Sequence, residues 1–212
     1  MYKMPYYTVT DNAILVDFMK QYPFAIITAN GKDGVPVASH IPLLVKEREG
    51  NLVLQGHIMR KTDHHIALET AQKALAVFSG PHAYISASWY ADPLSASTWN
   101  YMTVHASGNV RFTEHEELLE MLKELTAHFE AAPLSPARYE LLPEEYVARL
   151  SKAIIGFEIV IDKIEGVFKL SQNKDQVNYE RIIDQLMQQD SEAQAVVIQM
   201  QKRKAGLFPS EK

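Results

Sequence analysis

The sequence predicts an α+β fold, mainly β at its core: antiparallel strands forming a barrel, peripheral helices, and a helical C-terminal extension. Three observations carry that expectation. Apolar strand-like runs between residues 24 and 112 are separated by short turns bearing Gly, Asn, Asp and Pro. Only one short helical segment, residues 62–70, interrupts them, which is too little helix for alternating parallel β-α units. From Asp175 onward the pattern is helical, in two pieces.

The elements follow in order. Asp11 caps a short helix running to about Tyr22, with Leu15, Phe18, Met19 and Tyr22 on one face, and Pro23 ends it. Phe24 to Ala29 is a buried strand. Asn30-Gly31 and Asp33-Gly34 tolerate positive φ and turn the chain back. Val35 to Val45 is the return strand, and Pro36 and Pro42, which cannot donate to a ladder, place it at an edge or a bulge. Glu49-Gly50-Asn51 is a turn into a third strand, Asn51 to His57. Thr62 to Thr70 is a short helix. Ala74 to Ser79 is a strand stopped by Gly80-Pro81, and Ala83 to Ser86 and Tyr101 to Phe112 add more.

Thr113-Glu114-His115-Glu116 fits a capping box, and Leu118, Leu122, Leu125 and Phe129 follow at helical spacing in a helix ending before Pro133. Pro133 to Pro143 is a proline-punctuated loop. Glu144 to Lys152 is a short helix, and Ile154 to Ile161 and Gly166 to Leu170 read as strands. Asn173 with Gln176 and Ser191 with Gln194 mark the starts of the last two helices. The expected organisation is a main domain over residues 1–173 and an extension over 174–212.

Composition narrows the function classes. The chain has 212 residues, 47% of them hydrophobic, and no cysteine, so disulfides, thiolate metal sites, iron–sulfur clusters and cysteine nucleophiles are excluded. No apolar signal region opens the sequence, and its longest apolar run is far short of a membrane span, so a cytoplasmic protein with no membrane partner is expected. The net charge of −5 is unevenly spread. Residues 113–145 hold nine acids and two bases, which leaves the rest slightly basic at +2. The net charge therefore says little against an anionic partner.

Four constellations carry chemistry. Gly56-His57-Ile58-Met59-Arg60-Lys61-Thr62-Asp63 joins a strand end, two adjacent cations and a helix start. Unpaired amides at a helix start favour an anion, so this is a candidate phosphate cradle for a mononucleotide. Asp63 is a counter-signal, since a carboxylate there could fill the same place, and a solvated turn is the alternative. An aromatic stretch from Gly80 to Tyr101 holds both tryptophans, Trp89 and Trp99, and suits a flat heteroaromatic ligand or, equally, packing at a barrel or interface. Eight histidines are present, but no pairing has metal-ligand spacing, and adjacent His64 and His65 diverge on a helix. No metal site is expected. Phe168-Lys169-Leu170-Ser171-Gln172-Asn173-Lys174 ends a strand in a polar cluster that can reach a phosphate, cap a helix, or both. There is no GxSxG and no carboxylate pair with a clear partner, so no catalytic residue is named. The one dense basic run, Lys202-Arg203-Lys204, is a poor candidate for reading DNA.

Taken in order, these blocks resemble a known family. His40-Ile41-Pro42-Leu43, Gly56-His57-Ile58-Met59-Arg60, Phe78-Ser79-Gly80-Pro81-His82-Ala83-Tyr84-Ile85-Ser86, Ser88-Trp89-Tyr90, Thr98-Trp99-Asn100-Tyr101, Val104-His105, Ile155-Gly156-Phe157-Glu158 and Lys169-Leu170-Ser171-Gln172-Asn173 resemble the PaiB-type FMN-binding negative transcriptional regulators. The resemblance implies a split β-barrel of the pyridoxamine-phosphate-oxidase type, a homodimer with FMN at the subunit interface, and repression of protease synthesis and sporulation genes. By similarity, Ser39, His40 and Ile41 would line the isoalloxazine. Gly56 and His57 would close around the ring and ribityl chain, with Arg60, Lys61 and Thr62 at the phosphate. Trp99, Asn100, Lys169, Ser171 and Gln172 would approach from the partner chain. Ser97 stands where the pattern has proline and Thr62 where it has asparagine, departures that bear on flavin affinity more than on fold. DNA enters as a partner only through the resemblance. Two alternatives remain: an FMN-dependent oxidoreductase or flavin reductase, and a haem-binding or haem-degrading barrel prompted by the histidines.

Overall fold

The structure is a computed structural model of the chain and describes residues 1, 3–92, 94–130 and 135–209. In chain order its elements are β1 (Thr8–Val9), α1 (Asn12–Gln21), β2 (Phe24–Asn30), β3 (Pro36–Pro42), β4 (Leu44–Arg48), β5 (Asn51–Met59), α2 (Asp63–Ala71), β6 (Lys73–Ile85), β7 (Thr98–Phe112), α3 (His115–Phe129), α4 (Glu144–Ser151), β8 (Ile154–Lys169), α5 (Gln176–Leu186) and α6 (Ser191–Leu207). The strands hydrogen-bond in the order β3-β2-β6-β7-β8-β5-β4, and β1 pairs with the end of β8. The class is therefore mainly β with helices, as the turn spacing predicts.

The described residues form two compact units. Unit 1 comprises Met1–Phe18, Ser79–Val104 and Glu165–Lys212, and unit 2 comprises Met19–Phe78 and His105–Ile164. In unit 2, Ile27, Leu54, Phe78, Phe157 and Ile159 are fully buried; burial alternates along β2 and β6, whereas β5 and β8 each carry an unbroken buried run. In unit 1, Leu15, Ile85, Leu170, Tyr179 and Val197 form the core, and the Tyr179 hydroxyl donates to the Met200 carbonyl at 2.9 Å.

Several local expectations are corrected. The return strand expected over Val35–Val45 is two edge strands, β3 and β4, at opposite ends of the order. The break falls after Pro42, where the Leu43 N–H leaves the ladder and donates to the Pro23 carbonyl at 2.9 Å. Gly80-Pro81 does not stop a strand, because β6 runs through it. Gly80 is a close-packing position there: a Cβ would stand 2.8 Å from the Phe18 ring. The segments Ile154–Ile161 and Gly166–Leu170 are likewise one strand, β8, with Leu15 pressed against Gly166.

The capping box of α3 is Glu114 with Glu117, one residue later than expected. The Thr113 N–H is already committed to the Gly156 carbonyl at 2.9 Å, so the strand pairing holds Thr113 out of the helix. Asp175 and Asp190, not Asn173 and Ser191, cap α5 and α6. Phe129 is exposed at the end of α3, and Pro133 and Leu134 of the expected loop lie outside the described residues.

Unit 2 also encloses a polar network. Glu158, only 4% exposed, accepts from Arg48 at 2.7 Å, from Gln55 at 2.5 Å and from Arg111 at 2.6 Å, and Arg111 forks onto Glu117 with two bonds of 2.9 Å. Burial pushes the Glu158 carboxyl up, but the bonds from Arg111 and Gln55 and the charges of Arg111 and Arg48 outweigh it and leave the group below the ordinary range. The Arg111 bond brings Glu117 down to about 2. The network ties β4, β5, β7, β8 and α3 together.

Candidate functional site

Within unit 2, β3, β5 and the turn into α2 frame a groove of about 390 Å³. Ser39, His40, Ile41, His57 and Thr62 line it, so five of the eight residues expected on this side come together. Pro42, Ile58, Met59, Asp63 and Ile154 complete the wall; the first four fall in motifs read from the sequence, but none of the five was expected as a ligand residue. Four of these are apolar side chains, and Met59 is 62% exposed, so the groove offers apolar surface to a flat ring. Phe24, also exposed, lies 5.8 Å from the His40 ring.

Gly56 stands behind the groove instead of lining it. A Cβ there would meet Leu43 Cδ2 at 2.8 Å, Phe157 Cζ at 3.1 Å and Ile41 Cγ2 at 3.3 Å, so glycine lets β5 pack against the core at this point. Next to it the His57 Nδ1 is buried with no hydrogen-bond partner, and burial lowers the pKa of the ring. His57 is therefore a neutral imidazole at pH 7 with an uncommitted nitrogen.

His64, weighed above as a metal ligand and rejected, bonds a residue of the groove. Its Nδ1 is 2.7 Å from the Oγ of groove-lining Ser39, its Nε2 is buried and unpartnered, and burial lowers its pKa against a smaller opposing effect of the Asp63 charge. No spacing rule links Ser39 to His64 across 25 residues, so nothing in the sequence could have paired them. His65 Nδ1 accepts the Lys61 N–H at 3.2 Å.

The charged end of the groove differs from a bare helix-start cradle. The Thr62 hydroxyl accepts from the His65 N–H at 3.2 Å and donates to the Met59 carbonyl, and Asp63 Oδ1 accepts from the His64 N–H at 2.8 Å. The first-turn amides are thus largely capped by the chain itself, as the Asp63 counter-signal warned. What remains for an anion is side-chain charge. Arg60 is exposed, with its Nε donating to the Ile154 carbonyl at 2.9 Å, an anchor that leaves the rest of the guanidinium outward. Lys61 is exposed and sits at φ +64, a left-handed conformation rare for a side-chain-bearing residue.

The other five expected residues all lie in unit 1. Asn100, Lys169 and Ser171 line a polar basin of about 230 Å³ together with Tyr6, Tyr7, Tyr90, Thr98, Asn173 and Lys174. Asn100 is fully buried; its Oδ1 accepts from the Ser171 hydroxyl at 3.0 Å and its Nδ2 faces Met200 Sδ at 3.6 Å. Gln172 is turned onto its own backbone, accepting from the Leu170 N–H at 2.6 Å and donating to the Phe168 carbonyl. The Lys169 ammonium bonds the Thr98 hydroxyl and lies 5.9 Å from the Tyr7 ring, and burial lowers its pKa. Trp99 is outside the basin, half-exposed, with Tyr84 and His82 each 5.8 Å away. Tyr90 of the aromatic stretch and Lys174 of the polar cluster, neither named above as a flavin residue, also line the basin.

The family model described as "Putative FMN-binding domain" covers residues 1–163, which include the whole unit-2 groove. Protease synthase and sporulation protein PAI 2 of Bacillus subtilis is 30% identical over 191 residues, spanning 90% of this chain and 91% of its own. Among solved structures, the flavocytochrome Anf3 of Azotobacter vinelandii aligns with a TM-score of 0.62 at 17% identity, over 85% of this chain and 78% of its own. The FAD and heme binding protein of Mycobacterium smegmatis aligns with a TM-score of 0.58 at 20% identity, over 76% and 73%. The structural likeness bears on the fold, which is of the split-barrel type. No helix among the described residues is long and apolar enough to cross a membrane.

Proposed function

The chain belongs to the FMN-binding domain family, a PaiB-type protein with FMN as its cofactor, and from that premise we propose that the unit-2 groove holds the flavin in a homodimeric regulatory protein. The observation that carries this reading is the buried, unpartnered Nδ1 of neutral His57 at the wall of an apolar groove; the exposed Arg60 and Lys61 do not line it but stand in the chain between its lining residues Met59 and Thr62. A buried polar atom left without a partner costs about 1–3 kcal/mol, and a ring N–H or ribityl hydroxyl donating to it would satisfy it. Ser39, His40 and Ile41 flank the ring, Gly56 holds the strand behind it, Thr62 closes the end, and the two cations meet the phosphate. When bound, FMN supplies hydride or electron-accepting chemistry; the residues here bind and orient it and exclude water.

The half-exposed Trp99 is the group of unit 1 that a second copy would bring to the flavin. Asn100, Ser171 and Gln172 spend their polar atoms within unit 1 and shape the surface around it. Regulation of protease synthesis and sporulation rests on the relative from Bacillus subtilis. A direct reading of DNA through residues 202–204 is not favoured: Lys204 pairs with Glu180 at 2.7 Å, and Arg203 bonds Gln199 and stacks on Phe168.

The absorbance of the purified chain tests the cofactor site, with thermal denaturation in FMN and in riboflavin as the second arm. FMN at a hundredfold its Kd should add about 2.7 kcal/mol. Riboflavin, lacking the phosphate, should raise Tm less. A colourless protein whose Tm ignores FMN would sink the groove assignment.

A further inference from the structure

We propose that His64 is a positioning residue of the unit-2 groove: it donates from Nδ1 to the Ser39 hydroxyl and so frees the Ser39 proton for the groove, where it meets an acceptor atom of the bound ring. That the ring is a flavin rests on the assignment above; the polarity of the Ser39–His64 bond does not.

Two elements bring the pair together. Ser39 is half-buried on β3, opposite Ile27 of β2, and lines the groove. His64 is the second residue of α2, which packs on β2 and β3, and it is only 2% exposed. The contact between His64 Nδ1 and Ser39 Oγ is 2.7 Å long. One group donates there and the other accepts, and a hydroxyl can do either. If Ser39 donates, its proton is committed to the imidazole and only lone pairs face the groove. If His64 donates, the Ser39 proton is left for the groove.

The far side of the imidazole decides between them. His64 Nε2 is buried and has no hydrogen-bond partner among the described residues. Burial lowers the pKa of His64, so at pH 7 the ring is neutral and carries one proton. On Nε2 that proton would be an N–H sealed from water with nothing to bond. Folded proteins rarely leave a buried N–H in that state, and they leave an acceptor unsatisfied more readily. The proton therefore sits on Nδ1, between the ring and Ser39. The first turn of α2 holds the ring in place: the His64 N–H donates to Asp63 Oδ1, and the Thr62 hydroxyl caps the helix.

The same rule makes the unpartnered Nδ1 of neutral His57 a lone pair. The groove then offers a flat ring one acceptor, His57 Nδ1, and one donor, the Ser39 hydroxyl, among apolar side chains. That combination suits a heteroaromatic ligand with both donor and acceptor atoms. A hydrocarbon ring would leave both groups unpaired and is disfavoured.

Long-range proton–nitrogen correlation spectra of the flavin-free, full-length chain read the tautomer directly, with the His64 signals assigned by their loss in His64→Asn. An Nδ1–H form is expected, and an Nε2–H form would overturn the proposal. Titrations with FMN and with riboflavin are the second arm. His64→Leu should weaken both by the same factor, about three- to fivefold, the scale of one neutral hydrogen bond. In a Ser39→Ala background the same substitution should change nothing, since the hydroxyl that it positions is gone. His64→Asn, whose amide can donate from near the place of Nδ1, should keep both affinities within about twofold of the parent. Denaturation curves check that each variant is folded. Undiminished flavin binding by folded His64→Leu would sink the idea. So would a loss confined to FMN, which would put His64 in the service of the phosphate, or a loss that persists without the Ser39 hydroxyl. A parent chain that binds neither FMN nor riboflavin removes the groove assignment, and the tautomer then still decides the polarity of the Ser39 bond.

Discussion

In the unit-2 groove Ser39, Thr62 and Asp63 are bonded, but lining His57 keeps an uncommitted Nδ1 and His64, bonded to lining Ser39, keeps an uncommitted Nε2. In the unit-1 basin most polar atoms are already bonded to one another, as in Asn100 with Ser171, and the exceptions are the Tyr90 hydroxyl and the lysine charge. The difference separates two jobs that residues of the same type perform. Committed polar groups hold a shape, so their loss is paid in stability. Uncommitted ones leave hydrogen-bonding capacity for something else, so their loss should appear in ligand affinity while the fold survives.

The comparison breaks first on the committed groups. Glu158→Ala removes the acceptor of three buried or half-buried donors in unit 2, and should cost about 3 kcal/mol, the low end for breaking a buried pair because Arg48 and Arg111 can turn to water. For a chain of this size that is a fall in Tm of roughly 6–12 °C by calorimetry. Asn100→Leu leaves the Ser171 hydroxyl orphaned in unit 1 and should cost about 2 kcal/mol. FMN affinity should persist in both wherever the protein is folded. A tenfold loss of FMN in folded Asn100→Leu would show that Asn100 serves the flavin and that the separation of roles is wrong.

The uncommitted groups should behave in the opposite way. His57→Leu removes the unpartnered nitrogen while keeping an apolar side chain, and should weaken FMN about tenfold, equivalent to ~1.4 kcal/mol, with Tm of the flavin-free protein unchanged or raised. Arg60→Gln follows with a smaller effect. Its guanidinium is solvent-exposed, so FMN should weaken roughly three- to fivefold. Riboflavin should not be affected, and equal losses of FMN and riboflavin would move the phosphate away from Arg60.

Much of this was legible in the sequence where the physics is local. Pro23 ending α1, Gly50 in the turn between β4 and β5, and Thr62 heading α2 follow from backbone chemistry within a few residues. The misreadings share one cause. Gly80 and Gly166 look like strand breakers, but they are glycines because Phe18 and Leu15, distant in sequence, press on them. Thr113 fits a cap until the Gly156 carbonyl claims its N–H. At the site, the residue types of both clusters were visible. Which atoms are spent was not, because the bonds that spend them span 71 residues from Asn100 to Ser171 and 25 from Ser39 to His64.

The smallest expected effect is a pH dependence that sharpens the groove side of the comparison. Burial lowers the folded-state pKa of His57 and His64 below the ordinary 6.5, so below that pH the unfolded chain binds more protons than the folded one at these positions. Their contribution is fully present above pH 6.5 and is lost as pH falls through their folded-state values. Tm of the flavin-free protein should therefore decline gently from pH 7.5 to 5.5. The carboxylates of unit 2 act lower: Glu117 and Glu158 are held below 4.5, so their stabilisation is lost between about 4.5 and 2, outside this window. The double substitution His57→Gln with His64→Gln should flatten the upper limb and leave the acid limb in place. Bound FMN should steepen the upper limb in the parent chain if it bonds the neutral His57 ring, because protonation would then remove an acceptor as well as bury a charge. A parent chain whose upper limb is the same with and without FMN would mean that the flavin does not touch His57.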